Sequence, residues 1–453
     1  MKNTVVVSVP IQDNYKQALD KTFQIFPEIS QKIKDSKRIF IKISIDHLYQ
    51  YHHIDIDLLQ LVLEYIRRLN QNTKLFVMEN NIHGNFSRLL ANQTGIVKIC
   101  KQYKAKFLYL EEKKVTTVAI GKPEDRYRIQ FPEILLEQLI AERKGCFYLN
   151  ISSLRTNYLT KMAGSLFNQI GLLSKLSLPF LHSMHVHNII PYLYQYIKPD
   201  FTILDANVVL EHGMLQPESL IDKHAISINR LISGPDAVAV DRVAAECLGF
   251  SPDEIEHLQI AIDNGYGEGH LRRIDVKGNL PKVKKKVKHG LELSQLPQKM
   301  DVVIGEDKSG IEDCLGLVLQ YSQILFKDFG GDERFTLLAG SNFSKEQLEN
   351  LREPVVVLGA RACRETAPIL RKIVYEAYYI EHCHDIRQIV AVLLKVLSIN
   401  KYNLIGASPL TTWKHLWISK LYGSKYKLPS LKRVTRKWRE PRQKKDKGKR
   451  DAK

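Results

Sequence analysis

The chain has 453 residues, 44% hydrophobic and 26% charged, which is more than one hydrophobic core can organise and too rich in core-forming side chains for a disordered polymer. Its net charge of +18 is uneven: residues 401–453 hold 17 Lys and Arg against Glu440, Asp446 and Asp451, so basicity belongs to one end and says nothing about a site elsewhere. Six dispersed cysteines at positions 100, 146, 247, 314, 363 and 383 argue against a disulfide framework and for a reducing, cytoplasmic setting, and neither a signal-peptide pattern nor a run near ~18 apolar residues occurs.

Residues 38–45 are rich in β-branched positions, 57–69 repeat at helical spacing and 74–78 form a second short apolar run, a βαβ unit. Strand-like runs at 107–110, 146–151 and 201–204 alternate with helical stretches such as 133–142 and 181–196. The alternation predicts an α/β fold with a mainly parallel, Rossmann-like sheet covered on both faces. Ser233, Gly234, Pro235 and Asp236 open a helix that buries Val238, Val243, Ala244, Cys247 and Leu248 and stops at Gly249. Ser251 and Glu254 form a capping-box pair with Pro252 at the first helical position, and Gly265 closes that helix.

Lys282, Lys284, Lys285, Lys286 and Lys288 crowd one stretch, which reads as a solvated linker. Beyond it the pattern restarts: strand 301–304, helix 311–326, strands 335–339 and 354–358, helix 363–373, strand 377–380 and helix 385–397. The expected organisation is a domain over 1–280, a linker over 281–300, a second, smaller Rossmann-like domain over 301–400 and a basic tail over 401–453. In the tail, Leu410, Trp413, Leu416, Trp417 and Leu421 recur at helical spacing. The simplest expectation is that this stripe docks on the body and the last residues are disordered; contact with an anionic membrane surface or with nucleic acid phosphates is the alternative.

Open parallel sheets bind ligands beyond the carboxyl ends of their strands. That rule selects Lys42, Arg155, Thr156, Asp205 and Glu211. The two cations suit a carboxylate or phosphate; Asp205 and Glu211 suit acid, base or cation-ligand roles. A structural ion-pair network would collect the same charges. Asp236 is expected to serve the helix dipole, and Asp241 to be structural or ion-paired.

His182, His185 and His187 form an H-x-x-H-x-H run, and Cys314, Cys363 and Cys383 fall near helix starts or strand ends. Both groups are candidate metal ligands, although no periodicity puts all three histidines on one face and buried free thiols are ordinary core material. No G-x-G-x-x-G after a strand, Walker-type loop or Ser nucleophile elbow occurs.

Residues Pro199, Asp200 and Asp205, then Glu211 and Gly213, then Gly234, Pro235, Asp236 and Asp241, and on through Gly249 to Gly269, resemble the family catalogued as domain of unknown function 362. Upstream, Lys42, the Leu154-Arg155-Thr156 element and the Leu166-Phe167-Asn168 element fall where that family has its corresponding motifs. The sequence departs from them at Ile43-Ser44, Asn80-Asn81 and Asn157. The resemblance covers about residues 1–280. It adds Asn168 to the expected substrate-binding residues and brings in iron–sulfur chemistry, since some members carry ferredoxin-type segments; no Cys-x-x-Cys cluster occurs here.

The leading expectation is a protein that binds or transforms a small anionic metabolite in the cleft of the first domain, with the second domain closing over it, linked in one form to an iron–sulfur cluster or divalent metal. The alternative is a non-enzymatic binding module tethered to nucleic acid or an anionic membrane surface by residues 401–453, its cleft vestigial.

Overall fold

β2 (Arg38–Lys42) shows why the first sheet forms. Ile39 and Ile41 face one layer of helices and Phe40 the other, all fully buried, as the continuous apolar run of a strand covered on both faces requires. The computed structural model describes residues 3–11, 14–80, 86–174, 185–280, 285–308, 312–374, 376–381, 386–400, 404 and 408–426.

In chain order, β1 (Thr4–Pro10), β2, β3 (Lys74–Glu79) and β4 (Ala105–Tyr109) are followed by the hairpin of β5 (Val115–Lys122) and β6 (Asp125–Pro132). β7 (Cys146–Ser153), the short hairpin of β8 (Arg155–Asn157) and β9 (Lys161–Ala163), β10 (Phe201–Leu210), β11 (Ala225–Gly234) and β12 (Ile274–Gly278) complete the first unit. Eight of these pair in the order β12-β1-β11-β10-β7-β2-β3-β4. Only β11 runs antiparallel to its neighbours.

From β2 the chain builds outward through β3 and β4, then returns to place β7 on the other side of β2. The order therefore reverses between β2 and β7, where Lys42 pairs with Asn150. Helices Tyr15–Ile25, Pro27–Asp35 and Ile56–Leu69 cover one face; Val186–Tyr196, Ala237–Leu248, Glu256–Asp263 and the β5–β6 hairpin cover the other.

Helix boundaries follow the local chemistry. The Asp236 carboxylate accepts from the backbone N–H groups of Val238 and Ala239, and Gly249, at φ 78°, closes the helix, the conformation glycine adopts without a Cβ penalty. Ser251 and Glu254 make their reciprocal cap around the turn Pro252–Glu254. Sequence periodicity missed β1, the β5–β6 hairpin, β11 and β12. In β11 the pair Asn229 and Arg230 interrupts the apolar run, and Ser233 and Gly234, expected to open a helix, end this strand instead.

The second unit has four parallel strands in sequential order: β13 (Met300–Ile304), β14 (Phe335–Ala339), β15 (Val355–Leu358) and β16 (Ala377–Ile380). Glu312–Asp328 and Ile386–Val396 pack on one face, Ala360–Ile373 on the other. The lysine-rich linker is anchored rather than free. Val287 is buried in the first unit's core and its N–H donates to the Leu248 carbonyl, while Lys285 and Lys286 just before it are exposed.

The two units meet at the loop after β10. The Gln320 amide donates to the His212 carbonyl, Asp328 accepts from Glu218 N–H, and Tyr158, at the tip of the β8–β9 hairpin, packs against the second unit's core. Gly213 has φ 108° and a Cβ there would collide with the Gln320 amide. Gly213→Ala is expected to lower stability by about 1–3 kcal/mol through backbone strain and loss of that contact; an unchanged urea midpoint would show that the junction yields without cost.

The tail helix Pro409–Leu421 corrects one expectation. Leu416 packs against Phe86, Leu89 and Tyr426, but Trp413 and Trp417 are 56% and 65% exposed. The stripe splits because Leu416 lies about 100° round the helix from Trp417 and about 140° from Leu421, on the edge nearer the body. The expected disorder of the last residues concerns 427–453, outside the described residues.

Candidate functional site

Lys42 ends β2 on the face that receives the turn Ser165–Asn168, and Glu79 ends the neighbouring β3. The Lys42 ammonium donates to Glu79 Oε2 at 2.5 Å, Asn168 Oδ1 at 3.0 Å and the Ile43 carbonyl at 2.6 Å. All three of its protons are thereby used. Asn168 in turn donates to Asn150 Oδ1 at 2.7 Å, and Asn150 to the Ser165 carbonyl at 2.9 Å. Burial pushes the lysine's pKa down and the glutamate's up, each opposed by the partner's charge. Lys42 is thus a structural centre of the cleft wall.

Arg155 differs. It opens β8 immediately after β7, is 4% exposed, and ion-pairs with Asp46. Its Nε and Nη2 nevertheless have no hydrogen-bond partner, an arrangement that costs about 1–3 kcal/mol or more per buried donor. Burial lowers its pKa to about 10, opposed by the nearby Asp205 charge, so it is a cation at neutral pH. Asp205 is pushed up to about 7 by burial, opposed by hydrogen bonds from Asn207 N–H and the Tyr15 hydroxyl.

These groups surround one cleft. Lys42, Ser44, Asp46 and Glu79 form one side, Ser152, Ser153 and Arg155 another, and Gly164, Asn168 and Met214 contribute to the rest. Its inner volume of about 30 Å³ holds about two waters, a space that suits the head group of a small ion. It sits where the strand order reverses, the position where open α/β sheets take ligands.

The family model described as "Domain of unknown function (DUF362)" matches residues 39–246. This stretch belongs to that family. No curated protein matches the chain. A crystal structure of a protein from Thermotoga maritima is similar at 13% identity and a TM-score of 0.36, covering 87% of this chain and 84% of that one, a likeness too remote to carry an argument.

Every lining residue named above falls inside the DUF362 stretch. The expected closure by the second unit is therefore not what forms the cleft; that unit docks on the far end of the β8–β9 hairpin. Of the expected site residues, Lys42, Arg155 and Asn168 line the cleft. Asp205 stands behind Arg155. Thr156 is spent within the chain, its hydroxyl donating to the Leu210 carbonyl and accepting from Gly213 N–H. Glu211 accepts from Lys288 N–H at 2.8 Å and so ties down the linker instead of facing the cleft.

Asp241 is fully buried and accepts from Ser165 N–H at 2.7 Å and Leu166 N–H at 2.9 Å, capping the turn that delivers Asn168. Asp236 is the helix cap described above. Sequence reasoning missed Asp46, Glu79, Ser152 and Ser153. Glu79 carried the same strand-end signal as Lys42, one strand over; Asp46 became visible only when the loop after β2 folded back, its N–H donating to the His52 carbonyl.

Among the described residues, no group of three or more His, Cys, Asp or Glu could hold a metal ion. His185 precedes the helix Val186–Tyr196 and lies against the Tyr127 ring at 5.1 Å, while His187 approaches Glu256 at 3.7 Å. Cys363 is buried, and burial pushes its thiol up to about 12, the reverse of a reactive thiolate. His182, Cys383 and the side chain of Cys314 lie outside the described residues. In the cleft, Glu79 and Asp46 are the available carboxylates, but each already faces a cation, so they do not form a cation site.

Proposed function

We propose that the DUF362 cleft binds the carboxylate or phosphate head of a small metabolite, with Arg155 as the anchoring cation. The observation that carries this reading is the buried guanidinium with donors to spare, placed at the reversal of strand order. An entering oxyanion would satisfy Nε and Nη2 together, the bidentate geometry for which Arg is suited. Ser152 and Ser153 supply hydroxyls beside it, and Glu79 is the lining carboxylate whose raised pKa suits proton exchange near neutral pH. Asp205, behind Arg155, sets the pH range rather than touching the ligand. The free thiols at Cys100, Cys146, Cys247 and Cys363 favour action in the reducing cytoplasm.

The test is thermal unfolding in the presence of inorganic phosphate and of small mono- and dicarboxylates. At about 100 times its dissociation constant a ligand stabilises by about 2.7 kcal/mol. A saturable rise in Tm, abolished in Arg155→Met, is expected. No rise with any of these anions, or an equal rise in the variant, would sink the reading.

The pH dependence has a defined sign. Above pH about 7 Asp205 is ionised and competes for Arg155's charge; below it Asp205 is neutral. Anion binding should therefore strengthen as pH falls through about 7. Because Glu79 in the cleft wall is also raised to about 7, Asp205→Asn should weaken this dependence and leave the part that Glu79 supplies. Binding titrations between about pH 5 and 8, the range that brackets this group, check it.

A further inference from the structure

The helix Pro409–Leu421 is amphipathic the wrong way round for a helix that only packs on its own protein. It turns Thr412 and Ser419 inward, 3% and 0% exposed, and presents Leu410, Trp413, Trp417 and Leu421 outward at 84%, 56%, 65% and 65% exposure. At 100° per residue these four side chains fall within about 80° of arc. Burying such a strip is worth about 25 cal/mol for each Å² of apolar surface removed from water, so a helix oriented this way gains from an external partner.

Charge selects the partner. Lys414 is exposed beside the strip, next to Leu421 on the helix surface, whereas Lys420 donates to the Ser424 and Tyr426 carbonyls; the sequence that follows the helix is strongly basic. A second copy would bring like charge against like charge, and so would the chain's own basic end folding back over the strip. Nucleic acid would satisfy the lysines and stack on the indoles, but it offers nothing to Leu410 and Leu421. An anionic bilayer surface satisfies both parts: Trp and Leu enter the headgroup and acyl boundary while lysines reach the phosphates. No helix among the described residues is long and apolar enough to cross a membrane, so contact is in the plane of the surface.

We infer that the Leu410, Trp413, Trp417, Leu421 face is a docking surface for anionic phospholipid membranes, holding the DUF362 unit at the bilayer. It stands apart from the cleft reading and does not depend on it.

The chain's three tryptophans are Trp413, Trp417 and Trp438, so the full-length Trp438→Phe variant reports on this face alone. With vesicles of phosphatidylcholine mixed with phosphatidylserine, its emission should shift to the blue and the protein should sediment with the lipid. Phosphatidylcholine alone should bind at least about tenfold more weakly, at about 1 kcal/mol per engaged Lys. Trp413→Glu with Trp417→Glu should abolish sedimentation while leaving Tm unchanged, since both indoles are exposed. Equal binding to the two vesicle types, absence of the blue shift, or retained sedimentation in the double variant overturns the inference. Binding to poly(U) without vesicle binding overturns it in favour of nucleic acid, and a concentration-dependent dimer broken by the double variant, again without vesicle binding, in favour of a second copy.

Discussion

Replacing Lys42 by Met is expected to cost about 3–5 kcal/mol of unfolding free energy, the range for breaking one side of a buried ion pair. The ammonium is 1% exposed as a side chain and its partner Glu79 5%, so neither solvent nor salt can substitute for the lost charge. Its removal strips a donor from Glu79, from Asn168 Oδ1 and from the Ile43 carbonyl. Glu79, whose carboxyl is already raised by burial, then loses the charge that holds it down. Its folded-state pKa rises further above the unfolded value, so the native state holds a proton that the unfolded state releases, and the variant's stability falls as pH rises through the interval between the two values. Urea unfolding of Lys42→Met and of Lys42→Met/Glu79→Leu separates the causes. The double variant should recover most of the loss, since replacing both partners removes the uncompensated charge. A single-variant loss under about 1 kcal/mol would show that the pair contributes no more than a surface bridge.

The second large effect is expected at Asp241→Ala, about 3 kcal/mol or more. Each oxygen of this buried carboxylate takes one backbone N–H, from Ser165 and Leu166, and charge-assisted hydrogen bonds are worth about 1.5–3 kcal/mol each. Alanine leaves two buried donors without acceptors. Asparagine is no conservative replacement, because its single oxygen serves one N–H while its amide NH₂ confronts the other. The carboxylate also packs against Gly164, where any Cβ would collide with it. Since the turn it caps carries Asn168 to Lys42, the variant should lose phosphate or carboxylate protection along with stability. Unfolding curves taken with and without anion read both losses, and full retention of anion protection would uncouple Asp241 from the cleft.

How much of this was legible depends on where the information sits along the chain. β2, β3, β7 and the start of β10 are covered on both faces, so they read as unbroken apolar runs, and Lys42 and Arg155 stand out at their ends. The parallel sheet followed from that alternation. β11 did not show itself, because its apolar residues are broken by the half-buried Asn229 and Arg230, and its partner β1 lies more than 200 residues away, with Arg230 opposite Pro10. The same limit governs the cleft. Glu79 acquires its role only through the β2–β3 register, Asp46 only through a loop that doubles back, and Asp241 only by meeting Ser165 across 76 positions of sequence. Glu211 misled for the converse reason: its place after a strand suited a ligand, while the linker that claims it lies 77 residues on.

The position of β1 also governs how the chain can be made. It pairs with β11 on one side, Val7 opposite Ser233, and with β12 on the other, Val5 opposite Asp275. Its two hydrogen-bonding edges are thus completed by segments synthesised far later, tens of seconds later at about 5–20 residues per second. During that interval the apolar run Val5, Val6 and Val7 leaves the ribosome as an open edge, a template for pairing with other nascent chains. The nearly closed β2–β3–β4–β7 block can assemble in the meantime, but the sheet cannot be sealed until residue 278 has emerged. Translation, not the strength of any one contact, therefore sets the earliest moment at which this fold exists.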